Sequence, residues 1–261
     1  MRRFSMILII FSATFFILGA CARPAVAPAP QPAPEPETAP TPAPAPTPTP
    51  AESVTFADTK LEAAIREAIH KPEGPIQMPD LESLTTLIVD WRVKGIQNLA
   101  GLEYCVYLCE LELFSNNLSD LSPLSSLTNL QRLDLKFNNI SDLSPLSSLT
   151  NLEVLSLKIN NISDLSPLAG LTNLEYLDLG NNNISDISPM SGLTNLEYLS
   201  LVMNNISDLS PLVENSGLGS GDEIYLEGNN LDLSEGSEDM DNIRALEDRG
   251  VIVRATEVPT Q

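Results

Sequence analysis

Cations are scarce. The chain has 14 Lys+Arg against 35 Asp+Glu in 261 residues, a formal charge of −21. A surface this acidic lacks the Lys and Arg that phosphate contacts need, which argues against nucleic acid as a partner. It also disfavours docking of the folded part on anionic lipid. Reactive side chains are equally few. Three Cys and one His leave little material for thiol catalysis, a histidine base or a zinc site. No GxSxG, HExxH, phosphate loop or CxxC occurs. Proline is abundant only locally, with 12 of the 21 crowded between Pro24 and Pro50.

The first residues read as an address and a tether. Arg2 and Arg3 form a positive start, and residues 6–18 are apolar apart from Ser12 and Thr14, too short for a membrane span. Residues 1–20 are therefore expected to be a secretory signal. Leu18-Gly19-Ala20-Cys21 resembles the bacterial lipobox. The resemblance implies a lipid on Cys21 and an exported protein held at a membrane by that anchor alone. Removing residues 1–20 takes away Arg2 and Arg3 and no acid, so the charge moves from −21 to −23. After Cys21, residues 22–50 are a Pro/Ala/Thr tract that has no core to bury and favours extended polyproline II. At ~3.1 Å per residue its reach is about 90 Å, that of a stand-off linker.

From residue 108 onward one unit recurs every 22 residues. Asn116, Asn138, Asn160, Asn182 and Asn204 mark it, as do Asp120 to Asp208 and Pro123 to Pro211 at the same spacing. Fixed-period self-similarity marks a repeat architecture. Counting from Leu174 as position 1, apolar residues fall at positions 1, 4, 6, 11, 14, 17 and 20. Positions 4 and 6 alternate with 3, 5 and 7, the pattern of a short strand with one buried face. Only neighbouring units can cover those apolar side chains. Asn at position 9 both donates and accepts, which suits a bent backbone shared between units. Asp at 13 precedes a Ser-Pro and is expected to cap a short 3₁₀ turn, with Pro at 16 fixing φ on the outer side. The Asn and Asp ladders also have the look of a calcium comb. At this spacing the Asp oxygens are expected to accept backbone N–H groups instead, and no metal or cofactor is expected.

The unit matches the LxxLxLxxNxL pattern and resembles the leucine-rich repeat. Its 22-residue length and Ile/Leu-Ser-Asp-Leu/Ile-Ser-Pro ending resemble the internalin-type bacterial class over about residues 108–231. The resemblance implies an α/β repeat solenoid. This is a right-handed superhelix with a parallel concave sheet, 3₁₀ turns and loops on the convex side, and helical caps. It also implies binding of a protein, or else a glycan, at the cell surface. The five Asn-Ile/Leu-Ser sequons from Asn117 to Asn205 follow from the repeat consensus and say little about glycosylation.

Residues 51–107 are expected to form a helical cap and a degenerate first repeat, 108–217 five repeats, and 218–261 a partial repeat and second cap. Leu61, Ile65 and Ile69 make one helix stripe, with Asp58 as N-cap. A second short helix is expected from Asp80 to Leu87. Residues 86–107 keep register at Ile96, Leu99 and Leu102, but Lys94 stands in place of the Asn. Three residues are inserted after Leu212, and Asn229 restarts a partial coil. A helix is expected from Asp239 to Asp248, closed by Gly250, and a strand from Val251 to Val253. His70 reads as an exposed helix-end residue. Cys105, at a position that is otherwise Leu, reads as a small buried hydrophobe, less readily as a disulfide partner of Cys109.

What the core leaves free points to function. Positions 3, 5 and 7 are expected on the concave face. There Arg132, Lys136 and Lys158 form a basic island near Phe114, unless Asp134 simply neutralises it. Tyr176, Tyr198 and Tyr225, with Val202 and Met203, form an aromatic strip; Phe137, Ile159 and Met203 at position 8 lie near the strand edge. Tyrosine is a good strand residue, yet exposed Tyr clusters also anchor interfaces. The expected function is thus a lipid-anchored binding module rather than an enzyme, with an envelope spacer as the alternative.

Overall fold

The N-terminal cap forms because its helix has a start signal and a stop. The computed structural model describes residues 53–89 and 95–255, all within one compact unit. In it, β1 (Ser53–Val54) is followed by α1 (Thr59–Ala68). The Asp58 carboxylate accepts the N–H groups of Lys60 and Leu61, satisfying two of the donors that a helix start leaves free. Leu61 and Ile65 are buried. His70 closes the helix with φ 54, its N–H donating to Glu67 and that of Lys71 to Arg66. That is a Schellman closure with His where glycine is usual, and His70 is exposed. β2 (Ile76–Gln77) then pairs antiparallel with β1, and α2 (Met78–Leu81) follows.

The second helix therefore ends before Leu87. Residues Thr86–Ile88 form β3, the first strand of the main sheet. Leu87 and Val89 are buried while Thr86 and Ile88 are exposed, a period of two that prevails over the helical spacing of Leu84 and Leu87. Leu87 pairs with Leu111, 24 residues on, so the first coil is two residues longer than the 22-residue repeats that follow it. The expected register is kept at Ile96, Leu99, Leu102 and Cys105, all buried; the extra residues fall between Val89 and Ile96. Lys94 lies outside the described residues, as do residues 1–52 with Cys21 and the proline tract.

Six further strands follow. They are β4 (Glu110–Glu112), β5 (Arg132–Asp134), β6 (Val154–Ser156), β7 (Tyr176–Asp178), β8 (Tyr198–Ser200) and, after α3 (Ser210–Glu214), β9 (Glu223–Tyr225). After α4 (Glu238–Glu247), β10 (Ile252–Arg254) ends the sheet. The eight strands are all parallel and lie in chain order. Position 4 stacks in register from Leu111 through Leu133, Leu155, Leu177 and Leu199 to Ile224. The apolar residues of positions 1, 4, 6, 11, 14 and 17 are buried in every repeat, and each fully buried Leu contributes about 1.5–3 kcal/mol.

Polar ladders tie the coils together where the backbone bends. Each position-9 Asn works between coils: Asn160 accepts from Ile140 N–H at 3.0 Å and donates to Leu135 and Leu157 carbonyls. The position-13 Asp acts on its own coil, with Asp142 accepting from Ser144 N–H at 2.8 Å and Asp120, Asp164, Asp186 and Asp208 repeating the bond. The Asp stands one residue farther out than an N-cap, which is the leucine at position 14, and makes an Asx turn onto the first turn residue. A further ladder links outer turns: Asn151, Asn173 and Asn195 donate to Thr128, Thr150 and Thr172 carbonyls at 2.8 Å.

The last coil departs from the rule. Asn215 replaces the position-20 leucine and is fully buried. Its amide donates to Met190 and Leu193 carbonyls and its oxygen accepts from Gly217 N–H. The second cap follows expectation within a residue. Ser237 caps α4 by accepting Met240 N–H, and Gly250 turns at φ 90 into β10.

Candidate functional site: the open face of the sheet

Side chains at positions 3, 5 and 7 leave the sheet on the face opposite the core leucines. They do not all reach solvent as expected. Ser156, Asp178 and Ser200 at position 5 are buried, Asp178 at 8% and Ser200 at 5% exposure. The cause is size: strands ~4.8 Å apart leave short side chains in the shadow of the neighbouring Tyr rings.

Those rings form a continuous stack, because in-register parallel pairing puts Tyr176 beside Tyr198. Their centroids are 4.4 Å apart with planes at 6°. Tyr225 extends the stack at 5.2 Å from Tyr198, tilted by 38°. The three-residue insertion before β9 moves Tyr225 to position 5, where it neighbours Ser200. Arg254 on β10 lies 5.7 Å over the Tyr225 ring, and the Tyr225 hydroxyl donates to Glu223 at 2.5 Å. Each tyrosine is half-buried, none inside the leucine core. Burial, then the negative charge of Asp178, drives the Tyr176 phenol well above its usual range and Tyr198 up to about 12. All three rings are thus neutral donors at physiological pH.

The basic island is largely paired. Arg132 Nε meets Glu110 at 3.2 Å and Lys136 Nζ meets Asp134 at 2.5 Å, with the Lys136 ammonium also 5.0 Å from the Phe114 ring. Asp134 therefore neutralises Lys136, while Glu110 takes Arg132. Lys158 makes no ion pair with a described residue. At Glu112, burial and then Asp134 and Glu110 push the carboxyl above the ordinary carboxylate value.

Position 8 holds a feature the sequence did not announce. Ser115, Phe137, Ile159, Asn181 and Met203 all have φ between 56 and 59, and Gly228 continues the series at 72. This left-handed turn carries the chain out of the strand, and it projects Phe137 at 45% and Met203 at 55% exposure. Only Asn181 and Gly228 are residues that favour the conformation. Their shared position was the available signal.

Cys105 is a buried free thiol, so it forms no bond to Cys109, and burial pushes it up to about 12. Among the described residues no group of His, Cys, Asp and Glu is arranged to hold a metal ion, and no helix is long and apolar enough to cross a membrane.

The family model described as Leucine Rich repeats (2 copies) matches residues 108–148, 128–170, 150–189 and 172–214. No curated protein matches the chain. Among solved structures, an internalin (inlF) from Listeria monocytogenes is 33% identical with a TM-score of 0.67, covering 79% of this chain and 58% of its own. This chain thus spans less than two thirds of that protein. The internalin inlC2 from Listeria monocytogenes is 32% identical with a TM-score of 0.59, covering 79% of this chain and 100% of its own. A leucine-rich-repeat protein of Leptospira interrogans, 22% identical with a TM-score of 0.52 over 69% of this chain and 51% of its own, shares the fold. With its in-register leucine ladder and a full-length match to an internalin, the chain belongs to the bacterial internalin-type family of leucine-rich-repeat proteins.

Proposed function

We propose that the chain is an exported, lipid-anchored module that binds a protein on the open face of its sheet, with the Tyr176–Tyr198–Tyr225 stack at the centre. The stack is the observation that carries the reading. Three half-exposed rings, flanked by Val202 and Met203, offer rigid apolar area with hydroxyl edges, the make-up of interface hot spots. A sheet fixed by its own ladders loses little entropy on binding. A protein fits better than a glycan. The faces of Tyr176 and Tyr198 cover each other at 4.4 Å, leaving edges rather than open faces for a sugar ring. Phe114 and Phe137 extend the surface, and Lys158 is the cation of the basic island left for a partner. Arg132 and Lys136, already paired, tune register rather than supply net charge.

Anchoring rests on Cys21, with the 22–50 tract as a linker whose composition allows a reach of at most about 90 Å. The Cys21→Ser variant is expected in the soluble fraction; membrane retention would contradict the anchor. Binding is tested by crosslinking the full chain on cells beside a variant with Tyr176, Tyr198 and Tyr225 changed to Ala. Loss of a partner captured by the parent, with the circular dichroism of the fold intact, supports the reading. Unchanged capture removes the tyrosine stack from it.

A further inference from the structure

Two coils of this protein carry the same carboxylate, and only one of them is neutralised. At position 5 of β5, Asp134 accepts the N–H of Lys136 at 3.1 Å, and the Lys136 ammonium, two residues on, takes its other oxygen at 2.5 Å. At position 5 of β7, Asp178 accepts the N–H of Gly180 at the same 3.1 Å. The local backbone arrangement repeats, but position 7 is now glycine and supplies no ammonium. Asp178 makes no ion pair with a described residue, although it is the more buried of the two. A buried charge is costly when left unpaired.

Glycine at position 7 leaves no side chain of its own coil over the Asp178 carboxylate. A Cβ built there would meet the Asp178 carboxylate at 3.3 Å, a tight contact that the carboxylate must ease, and the Ser200 hydroxyl and Val202 carbonyl oxygen at an ordinary 3.5 Å. Gly180 does not need to be glycine for its backbone, since it is not among the residues of positive φ. Position 7 carries Phe114, Lys136, Lys158 and Val202 in other coils. The notch this leaves has Asp178 and Ser200 at its floor, both more than nine-tenths buried, two residues along their strands from Tyr176 and Tyr198.

We infer that this notch receives a lysine side chain of the protein partner, whose ammonium sits over Asp178 where Lys136 sits over Asp134. The inference rests on the binding face proposed above and adds the chemistry of its partner. The overall charge of −21 favours the approach of a basic segment, and the half-buried site makes the pair stronger than a surface one. Lys158, at position 7 of the preceding coil, sets the limit of the notch on that side and favours one cation rather than a run of them.

The test uses the isotopically labelled full chain and, as probe, Nα-acetyl-lysine methylamide, with its Nε-acetylated form as the neutral control. Amide resonances of Asp178, Gly180 and Ser200 are expected to shift saturably with the ammonium probe and not with the control. Gly180→Lys, which copies the Lys136 arrangement, and Gly180→Val, which copies Val202, are each expected to weaken the response by about tenfold or more. Lys136→Gly is expected to open a second site at Asp134. Shifts spread evenly over the acidic surface, or a response equal in Gly180→Lys, would overturn the notch. If the notch fails while the triple tyrosine variant still loses its captured partner, the binding face stands and only the lysine is wrong. If the notch responds while capture is unchanged, the reverse holds.

Discussion

Asn160 holds the coil before it: its Oδ1 accepts the Ile140 N–H at 3.0 Å while its Nδ2 bridges the carbonyls of Leu135 and Leu157. All these groups are buried; the Ile140 N–H has no other acceptor among the described residues, whereas Asn138 and Asn182 still donate to the Leu135 and Leu157 carbonyls once the amide is gone. Leaving a buried backbone group unpaired costs about 1–3 kcal/mol. Asn160→Ala is therefore expected to lose about 1–3 kcal/mol in urea unfolding, the cost of the one orphaned N–H. Asn160→Asp tests the donor half alone, since it keeps the acceptor and sets a carboxylate against two carbonyls. A loss below about 1 kcal/mol in both variants would show that the ladder is ornamental.

Ile159 pays a conformational cost on the rim of the same coil. Its φ of 56 places a β-branched residue in the left-handed region, at roughly 1–2 kcal/mol. Asn181 sits at the same position one coil later with the same φ, and tolerates it. Ile159 is only partly buried, so less apolar contact is lost than in a core position. Ile159→Asn is expected to raise stability by about 1 kcal/mol, read as a higher urea midpoint at unchanged slope. A lower midpoint would mean that packing at the rim outweighs backbone strain.

These two residues show what the sequence carries and where it stops. The Leu177/Leu179 alternation, multiplied by a 22-residue period, leaves one way to bury seven apolar side chains per coil, so strands, register and core were legible. The roles of Asn160 and its copies followed from the amide's double capacity. Where the period lapses, reading fails. Leu84 and Leu87 are three apart and suggest a helix, yet pairing with β4 makes Leu87 part of a strand. Ile159 gives no sign of a left-handed turn, because the bend belongs to the coil and not to the residue. The tyrosines were visible as surface residues. The shading of Asp178 and Ser200 was not, because it depends on ring orientation.

Gly217 is expected to be intolerant of any side chain. A Cβ there would lie 1.9 Å from the Thr194 carbonyl oxygen, a backbone atom that cannot swing aside. The neighbouring ties are dense: Gly217 N–H donates to Asn215, and Asn215 donates to Met190 and Leu193. Gly217→Ala should cost about 1–3 kcal/mol by overpacking. Gly170→Ser is the control. Nothing lies within 4 Å of its Cβ, and two other coils carry serine at that position, so its melting temperature should not change. Equal behaviour of the two variants would contradict the close approach of the last coil.

Cys105 makes the fold sensitive to alkali in a definable window. Burial raises its thiol from 9.0 to about 12, with the charge of Glu103 a lesser cause. The folded state thus holds a proton that the unfolded state gives up. The stability this provides is complete below pH 9.0 and falls as pH rises toward about 12. Between pH 9 and 10 the loss from this one group is about 1 kcal/mol, before the raised phenol of Tyr198 adds to it above pH 10. Cys105→Ala removes the titrating group at the expense of a small cavity. Its urea midpoint should start lower at pH 8 and fall less than the parent's from pH 9 to 10. Parallel profiles for the two proteins would place the alkaline loss elsewhere.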